Sequence, residues 1–182
     1  MKKRFIFAFA LLTFSLLLVS CGANPYQCTD PLGCLEISPD VPVVIGTILA
    51  TTGQNGLAGT ESLQSVERAV ANKVELLGHP IQLIQYGTDC TADSARGAAT
   101  EFARYPDLSA VIGPTCADED VVATQILLEA GIPLLGPVPN SAAAYALADQ
   151  VIAAIEQVAI QMPDKTLFIP RLALLDALRP SP

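Results

Sequence analysis

Cys90 and Cys116 are the residues whose types and spacing are best suited to chemistry in this sequence. Each closes a hydrophobic run: Tyr86-Gly87-Thr88-Asp89-Cys90 and Val111-Ile112-Gly113-Pro114-Thr115-Cys116. A third run, Ile132-Pro133-Leu134-Leu135, ends in Gly136-Pro137. In an open α/β sheet, loops at the carboxyl ends of neighbouring strands converge on one crevice, and ligands bind there. The stretch from Tyr86 to Asn140 therefore reads as the rim of a ligand crevice with cysteines at its mouth.

Other groups offer less. The glycine-rich loop from Gly53 to Gly59 lies between a strand and a helix, where backbone N–H groups could hold an anion. It lacks both the G-x-G-x-x-G spacing and the Lys-Ser/Thr ending of a P-loop, and glycines needed only for a tight turn explain it equally well. Asp118-Glu119-Asp120 at a helix start is explained by N-capping and the helix dipole, since adjacent residues do not share a helix face. His79, the only histidine, reads as a solvated turn residue between Gly78 and Pro80. No C-x-x-C is present and His79 is far from any cysteine in sequence, which weighs against a zinc site. Nothing points to an enzyme, a metal or a cofactor.

The elements that must position the cysteines follow from periodicity. Val43 to Leu49 is apolar on both faces, as expected for a strand inside a parallel sheet. A helix follows, with Leu63, Val66, Val70, Val74 and Leu77 on one face and Gly78-His79-Pro80 as its stop. Ile81 to Tyr86 is the second strand. The next helix uses Ala95, Ala98, Ala99 and Phe102, and Leu108 to Ile112 is the third strand. A helix from Asp118 to Ala130 ends at Gly131 as its C′ residue, before a fourth strand from Ile132 to Leu135. Alternation with short connections implies right-handed crossovers: an α/β fold with a doubly wound parallel sheet in three αβα layers. Beyond Pro137, Ser141 is expected to cap a long helix carrying Leu147, Val151, Ile155, Val158, Ala159 and Met162. Thr166 to Ile169 reads as a short extended piece, and Leu174, Leu175 and Leu178 mark a last helix.

The N-terminus reads as a targeting segment. Met1-Lys2-Lys3-Arg4 precedes an uncharged apolar run from Phe5 to Val19, which suits a signal peptide over residues 1–20. Leu18-Val19-Ser20-Cys21 resembles the lipobox of bacterial lipoproteins, implying that Cys21 is acylated and anchors the chain to the membrane surface. An ordinary secretory signal or an uncleaved anchor are the alternatives. Removing residues 1–20 leaves seven basic residues against 18 acidic ones, a net charge of about −11. Such a chain is repelled by phosphate backbones, so no nucleic-acid partner is expected. Residues 21–40, with their prolines, glycines and Cys28-x5-Cys34 loop, read as a tether. With Cys21 assigned to a lipid, Cys28, Cys34, Cys90 and Cys116 allow three pairings. Cys28 with Cys34 and Cys90 with Cys116 is the one that closes loops locally, and the even count suits an oxidising compartment.

Five segments together resemble the type I solute-binding proteins of ABC importers, in the leucine/isoleucine/valine-binding branch. They are Thr51-Thr52-Gly53, Arg68-Ala69-Val70-Ala71-Asn72, Gly87-Thr88-Asp89-Cys90, Val111-Ile112-Gly113-Pro114-Thr115-Cys116 and Ala130-Gly131-Ile132-Pro133-Leu134. Later segments, Ala144 to Ala148, Ile169 to Leu174 and Ala177-Leu178, resemble helices that follow the second lobe in that family. The resemblance implies one lobe over residues 41–179: βαβ units at 41–137, a seam at 138–140 where the second lobe would depart, and returning helices at 141–179. It also implies a Cys90–Cys116 disulfide.

The resemblance implies an extracytoplasmic, membrane-anchored substrate-binding protein for branched-chain amino acids or similar small polar solutes, with importer membrane subunits as partners. Its candidate ligand contacts are Thr52, Gly53, Ala117, Pro139 and Asn140. Ala117 and Asn140 stand where the family commonly has Ser and Thr hydroxyls, and no second lobe supplies the rest, so weak binding is expected. Two other expectations stand beside transport: an interaction lipoprotein that associates with itself or another chain through an exposed face, and a deleted paralogue without a role.

Overall fold

The computed structural model describes residues 26–179, so the signal segment and Cys21 lie outside the described residues. The central sheet has four strands, β2 (Val43–Ala50), β3 (Ile81–Thr88), β4 (Leu108–Ile112) and β5 (Leu134–Leu135), all parallel, in the order β3-β2-β4-β5. The first of them sits inside, and the chain builds outward to one side and then the other. All eight residues of β2 are buried, as its unbroken apolar run requires.

Alternate side chains of β2 enter two different cores. Val43, Ile45 and Leu49 pack with helices α1 (Gly56–Asn72) and α4 (Ser141–Val158), whereas Val44 and Ile48 pack with α2 (Ala92–Phe102) and α3 (Ala117–Glu129). The three αβα layers are thus present. Helix α2 buries Ala95, Ala98, Ala99 and Phe102, the positions its spacing predicts. The Phe102 ring lies over Gly46, where an added Cβ would come within 2.8 Å of Phe102 Cζ, and meets Tyr86 edge-on.

Residues 34–37 are not part of a tether. Cys34–Ile37 form strand β1, antiparallel to β7 (Leu167–Pro170), which also pairs with β6 (Ile160–Gln161) in a second sheet, β1-β7-β6. Leu35 and Ile37 are buried in the α1/α4 core while Glu36 between them is exposed, the period-two pattern of a half-buried strand. The preceding loop is also docked. The Asp30 carboxylate accepts the backbone N–H groups of Leu172 and Ala173 at 3.0 to 3.2 Å, and Arg171 N–H donates to Gly33 O. Asp30 thereby serves as a remote N-cap for helix α5 (Arg171–Ala177).

Three helix expectations also change. Helix α1 stops at Asn72 rather than at Gly78, leaving Val74 82% exposed. Leu76 and His79 exchange backbone hydrogen bonds in a tight turn, with Leu76 buried. His79 is fully buried, not solvated: Nδ1 lies 2.9 Å from Val41 O and Nε2 2.8 Å from Lys165 O. It joins the entry to β2 to the turn before β7. A lone histidine beside Gly and Pro gives no local sign of two carbonyl partners so distant in sequence. Helix α4 ends at Val158, so Met162 falls beyond it in the β6–β7 turn. Its cap is Asn140 rather than Ser141: Asn140 Oδ1 accepts from Ala143 N–H at 2.9 Å.

Candidate functional site

The loops leaving β2, β3, β4 and β5 are laced together at one end of the parallel sheet. Thr88 O accepts the N–H groups of Thr51 and Thr52 and the Thr52 hydroxyl, tying β2 to β3. Ala50 N–H donates to Thr115 Oγ1 at 2.9 Å, and Val138 N–H donates to Pro114 O at 2.7 Å, tying β2 to β4 and β4 to the segment after β5. Gly113 and Gly136 make that last approach possible. A Cβ on Gly136 would run into Gly113 O, and one on Gly113, whose φ is 141°, into Ile48 O.

Cys90 and Cys116 form a disulfide across the rim, with Cα atoms 5.5 Å apart, and Cys28 pairs with Cys34 at 5.9 Å. Both separations lie in the ordinary disulfide range. Asn55, just before α1, brings its Nδ2 to 3.1 Å from Cys90 Sγ and 3.2 Å from Cys116 Sγ. Cys90 itself has φ 69°, a left-handed conformation uncommon for a non-glycine residue. The residue before it organises the turn: Asp89 Oδ1 accepts from Thr91 Oγ1 at 2.6 Å, Ser94 Oγ at 2.7 Å and Thr91 N–H at 3.1 Å. The hydrogen bond from the Thr91 hydroxyl, then that from Ser94, hold the Asp89 carboxyl below its usual range, because they stabilise the charged form.

The sequence-derived ligand contacts all fall on this rim, but their polar capacity is partly used. The Thr52 hydroxyl is committed to Thr88 O. Gly53, with φ 72°, forms the turn whose carbonyl accepts from Gly56 N–H. Within the same glycine-rich loop, Gly56 and Gly59 are buried, and a Cβ on Gly59 would collide with Ala50 O. Close packing of α1 on β2 thus accounts for them. Ala117 is exposed in the first turn of α3, Pro139 is exposed, and Asn140 has its Oδ1 engaged as the α4 cap. None of them lines the cavities at the α3–β5–α5 edge, about 250 Å³, between α1 and α4, about 320 Å³, or beside β5 and α4, about 210 Å³.

One residue of the acidic triplet takes an unexpected place. Asp118 is exposed, but Glu119 is fully buried, and neither of its carboxylate oxygens has a hydrogen-bond partner among the described residues. It lies against the disulfide, with a carboxylate oxygen and the sulfurs of Cys90 and Cys116 all within 4.8 Å of one another. Cys116 is the cap of α3 and Glu119 stands three residues later, so they share a helix face. Cys-x-x-Glu was the only sequence signal for this, and by itself it does not distinguish a capping acid from a buried one.

No family model matches the chain, and no curated protein matches it. Solved structures similar to it include the branched-chain amino acid transporter substrate-binding protein of Streptococcus pneumoniae in complex with isoleucine (22% identity, TM-score 0.49). That match covers 51% of this chain and 28% of the other. A leucine-binding protein of Thermotoga maritima matches at 24% identity and TM-score 0.48, over 50% of this chain and 26% of that one. A solute-binding protein of R. palustris in complex with 4-hydroxybenzoate matches at 17% identity and TM-score 0.47, over 51% and 26%. This chain spans about a quarter of the length of these structures.

Proposed function

We propose that this chain is an extracytoplasmic solute-binding lobe of an ABC importer, anchored through Cys21, that takes a small zwitterion such as a branched-chain amino acid. The observation carrying this reading is the convergence of the loops after β2, β3, β4 and β5 on one rim, with the motif residues of the solute-binding pattern at those strand ends. The carboxyl ends of parallel strands are where such sheets receive ligands. On this reading Asn140 Nδ2, the backbone at Ala117 and the turn at Thr52-Gly53 face the solute, and the seam at 138–140 carries the chain directly from β5 into α4. Few free polar groups and an open rim give weak binding. Titration calorimetry with leucine, isoleucine, valine and 4-hydroxybenzoate tests this. Millimolar heats for the amino acids, reduced in Asn140→Ala, are expected; no heat for any of the four would reject solute binding.

A second reading is association with another copy of the chain. It is favoured by the edge strand β5, whose Leu134 and Leu135 line cavities on both sides together with Leu147, Leu175 and Leu178. Sedimentation that stays monomeric across a hundredfold concentration range would eliminate it.

A further inference from the structure

We propose that the closed Cys90–Cys116 disulfide is an exchange site that takes electrons from a dithiol, with Glu119 as its internal proton carrier and Cys116 as the leaving thiolate. Both cysteines are half-buried at the rim and belong to neither apolar core. A carboxylate oxygen of Glu119 and the two sulfurs lie within 4.8 Å of one another. Glu119 is fully buried, and among the described residues neither of its oxygens has a donor. A capping acid would accept backbone N–H groups of the first helical turn, and Glu119 accepts none. A buried carboxylate without a donor gains by taking up a proton.

Three features stabilise a thiolate at Cys116. It is the residue from which α3 starts, and the amino end of a helix favours a thiolate. Asn55 Nδ2 lies 3.1 Å from Cys90 Sγ and 3.2 Å from Cys116 Sγ, and an N–H bonds a charged sulfur more strongly than a neutral one. Glu119, once it holds a proton, adds an O–H donor from the buried side. A disulfide opens faster as its leaving thiolate becomes more stable. The other disulfide lacks this setting. No helix starts at Cys28 or Cys34, and among the described residues no carboxylate clusters with both of their sulfurs.

The exchange runs in two steps. One thiol of the dithiol attacks Cys90 Sγ, and its proton passes to the Glu119 carboxylate. The S–S bond breaks and its electron pair goes to Cys116 Sγ, now a thiolate bonded by Glu119 O–H and Asn55 N–H. The site carries the same single negative charge before and after. The second thiol then attacks the dithiol sulfur bound to Cys90, closing the dithiol's own disulfide. The electron pair leaves on Cys90 Sγ, which takes the second thiol's proton, while Cys116 takes the proton held by Glu119. The dithiol has lost two electrons and two protons, the cysteines have gained them, and Glu119 is a carboxylate again.

The test mixes the full oxidised chain with excess dithiothreitol, quenches with an alkylating agent at intervals and follows each disulfide by peptide mass. Cys90–Cys116 should open about tenfold or more faster than Cys28–Cys34, and Glu119→Gln should remove about that factor while leaving Cys28–Cys34 unchanged. Asn55→Ala should slow the same bond to a smaller extent, and Asp118→Asn, at the exposed neighbour, should change neither. A packing role for Glu119 predicts the opposite sign, because a loosened α3 start exposes the bond and speeds its opening. Equal rates for the two disulfides in the unaltered chain would overturn the proposal without recourse to any variant. Unchanged or faster opening in Glu119→Gln would overturn it as well. A reduced Cys-x-x-Cys peptide in place of dithiothreitol, at equal thiol concentration, assigns the natural reductant: faster opening marks a protein dithiol, slower opening a small one. Solute binding by the oxidised chain is unaffected by either result.

Discussion

The described residues form two sheets, each beside one disulfide, and they are assembled from opposite kinds of contact. The parallel sheet grows strand by strand, each new strand delivered by the helix before it, and Cys90–Cys116 joins the ends of two of its strands across a separation of 26 residues. The small antiparallel sheet joins residues 34–37 to residues 160–170, and Cys28–Cys34 closes only a six-residue separation at its edge. Loop-closure entropy alone assigns about 3.5 kcal/mol to the first bridge and about 2.3 kcal/mol to the second. The smaller bridge has a second use: it shapes the loop in which Asp30 caps α5 and Gly33 O receives Arg171 N–H. Stability in one region comes from local crossovers, and in the other from docking segments over 120 residues apart.

Two core truncations probe whether these regions fold as one unit. Phe102→Ala, which empties the site between Gly46 and Tyr86, should cost about 3–5 kcal/mol, read as a drop in the urea midpoint. Ile37→Ala, in the small sheet, should cost about 2–4 kcal/mol and shift the same single transition. An unmoved midpoint would restore residues 34–37 to the status of a tether. Two separate transitions would instead make the sheets independent.

Next in size is His79→Phe. It keeps the bulk but removes the ring N–H that one of the two carbonyls, Val41 O or Lys165 O, accepts, at about 1–3 kcal/mol. If the residue were solvated, the midpoint would not respond. Asn140→Ala removes the α4 cap and should cost about 1 kcal/mol, with its effect on solute heats measured separately at temperatures where the variant is folded.

The smallest effect concerns acid. A carboxyl held low in the folded chain adds stability that is present above its unfolded value, about 3.9, and is lost as pH falls through the lower folded value. Asp89, held low first by the Thr91 hydroxyl, therefore contributes acid sensitivity below about pH 4. Asp89→Asn should flatten the urea midpoint against pH in that window and leave its slope near pH 7 unchanged. An identical acid limb in the variant would show that the Thr91 and Ser94 bonds do not bias folding.

Much of the parallel sheet is legible because its signals are local. The all-apolar run of β2, the spacing of Ala95, Ala98, Ala99 and Phe102, and Gly131 at φ 69° just past α3 each announce their roles within a few residues. Leu35-Glu36-Ile37 also alternates, but three residues among prolines and glycines form a strand only when β7 is there to pair with them. Asn140 and Ser141 are both good caps in sequence, and the chain's path out of Val138, held by Pro114 O, selects Asn140.

By itself, then, the sequence determined the alternation of strands and helices, the apolar faces, and the placing of cysteines and motif residues at strand ends. Those depend on periodicity and turn chemistry, which act over one or two turns of chain. Only the tertiary structure decided that the segment before β2 is docked, that His79 is a buried link, and that Glu119 turns inward against the Cys90–Cys116 disulfide while Asp118 stays in water. Burial and hydrogen-bond partnership are properties of what the rest of the chain brings alongside, and no spacing between neighbours encodes them.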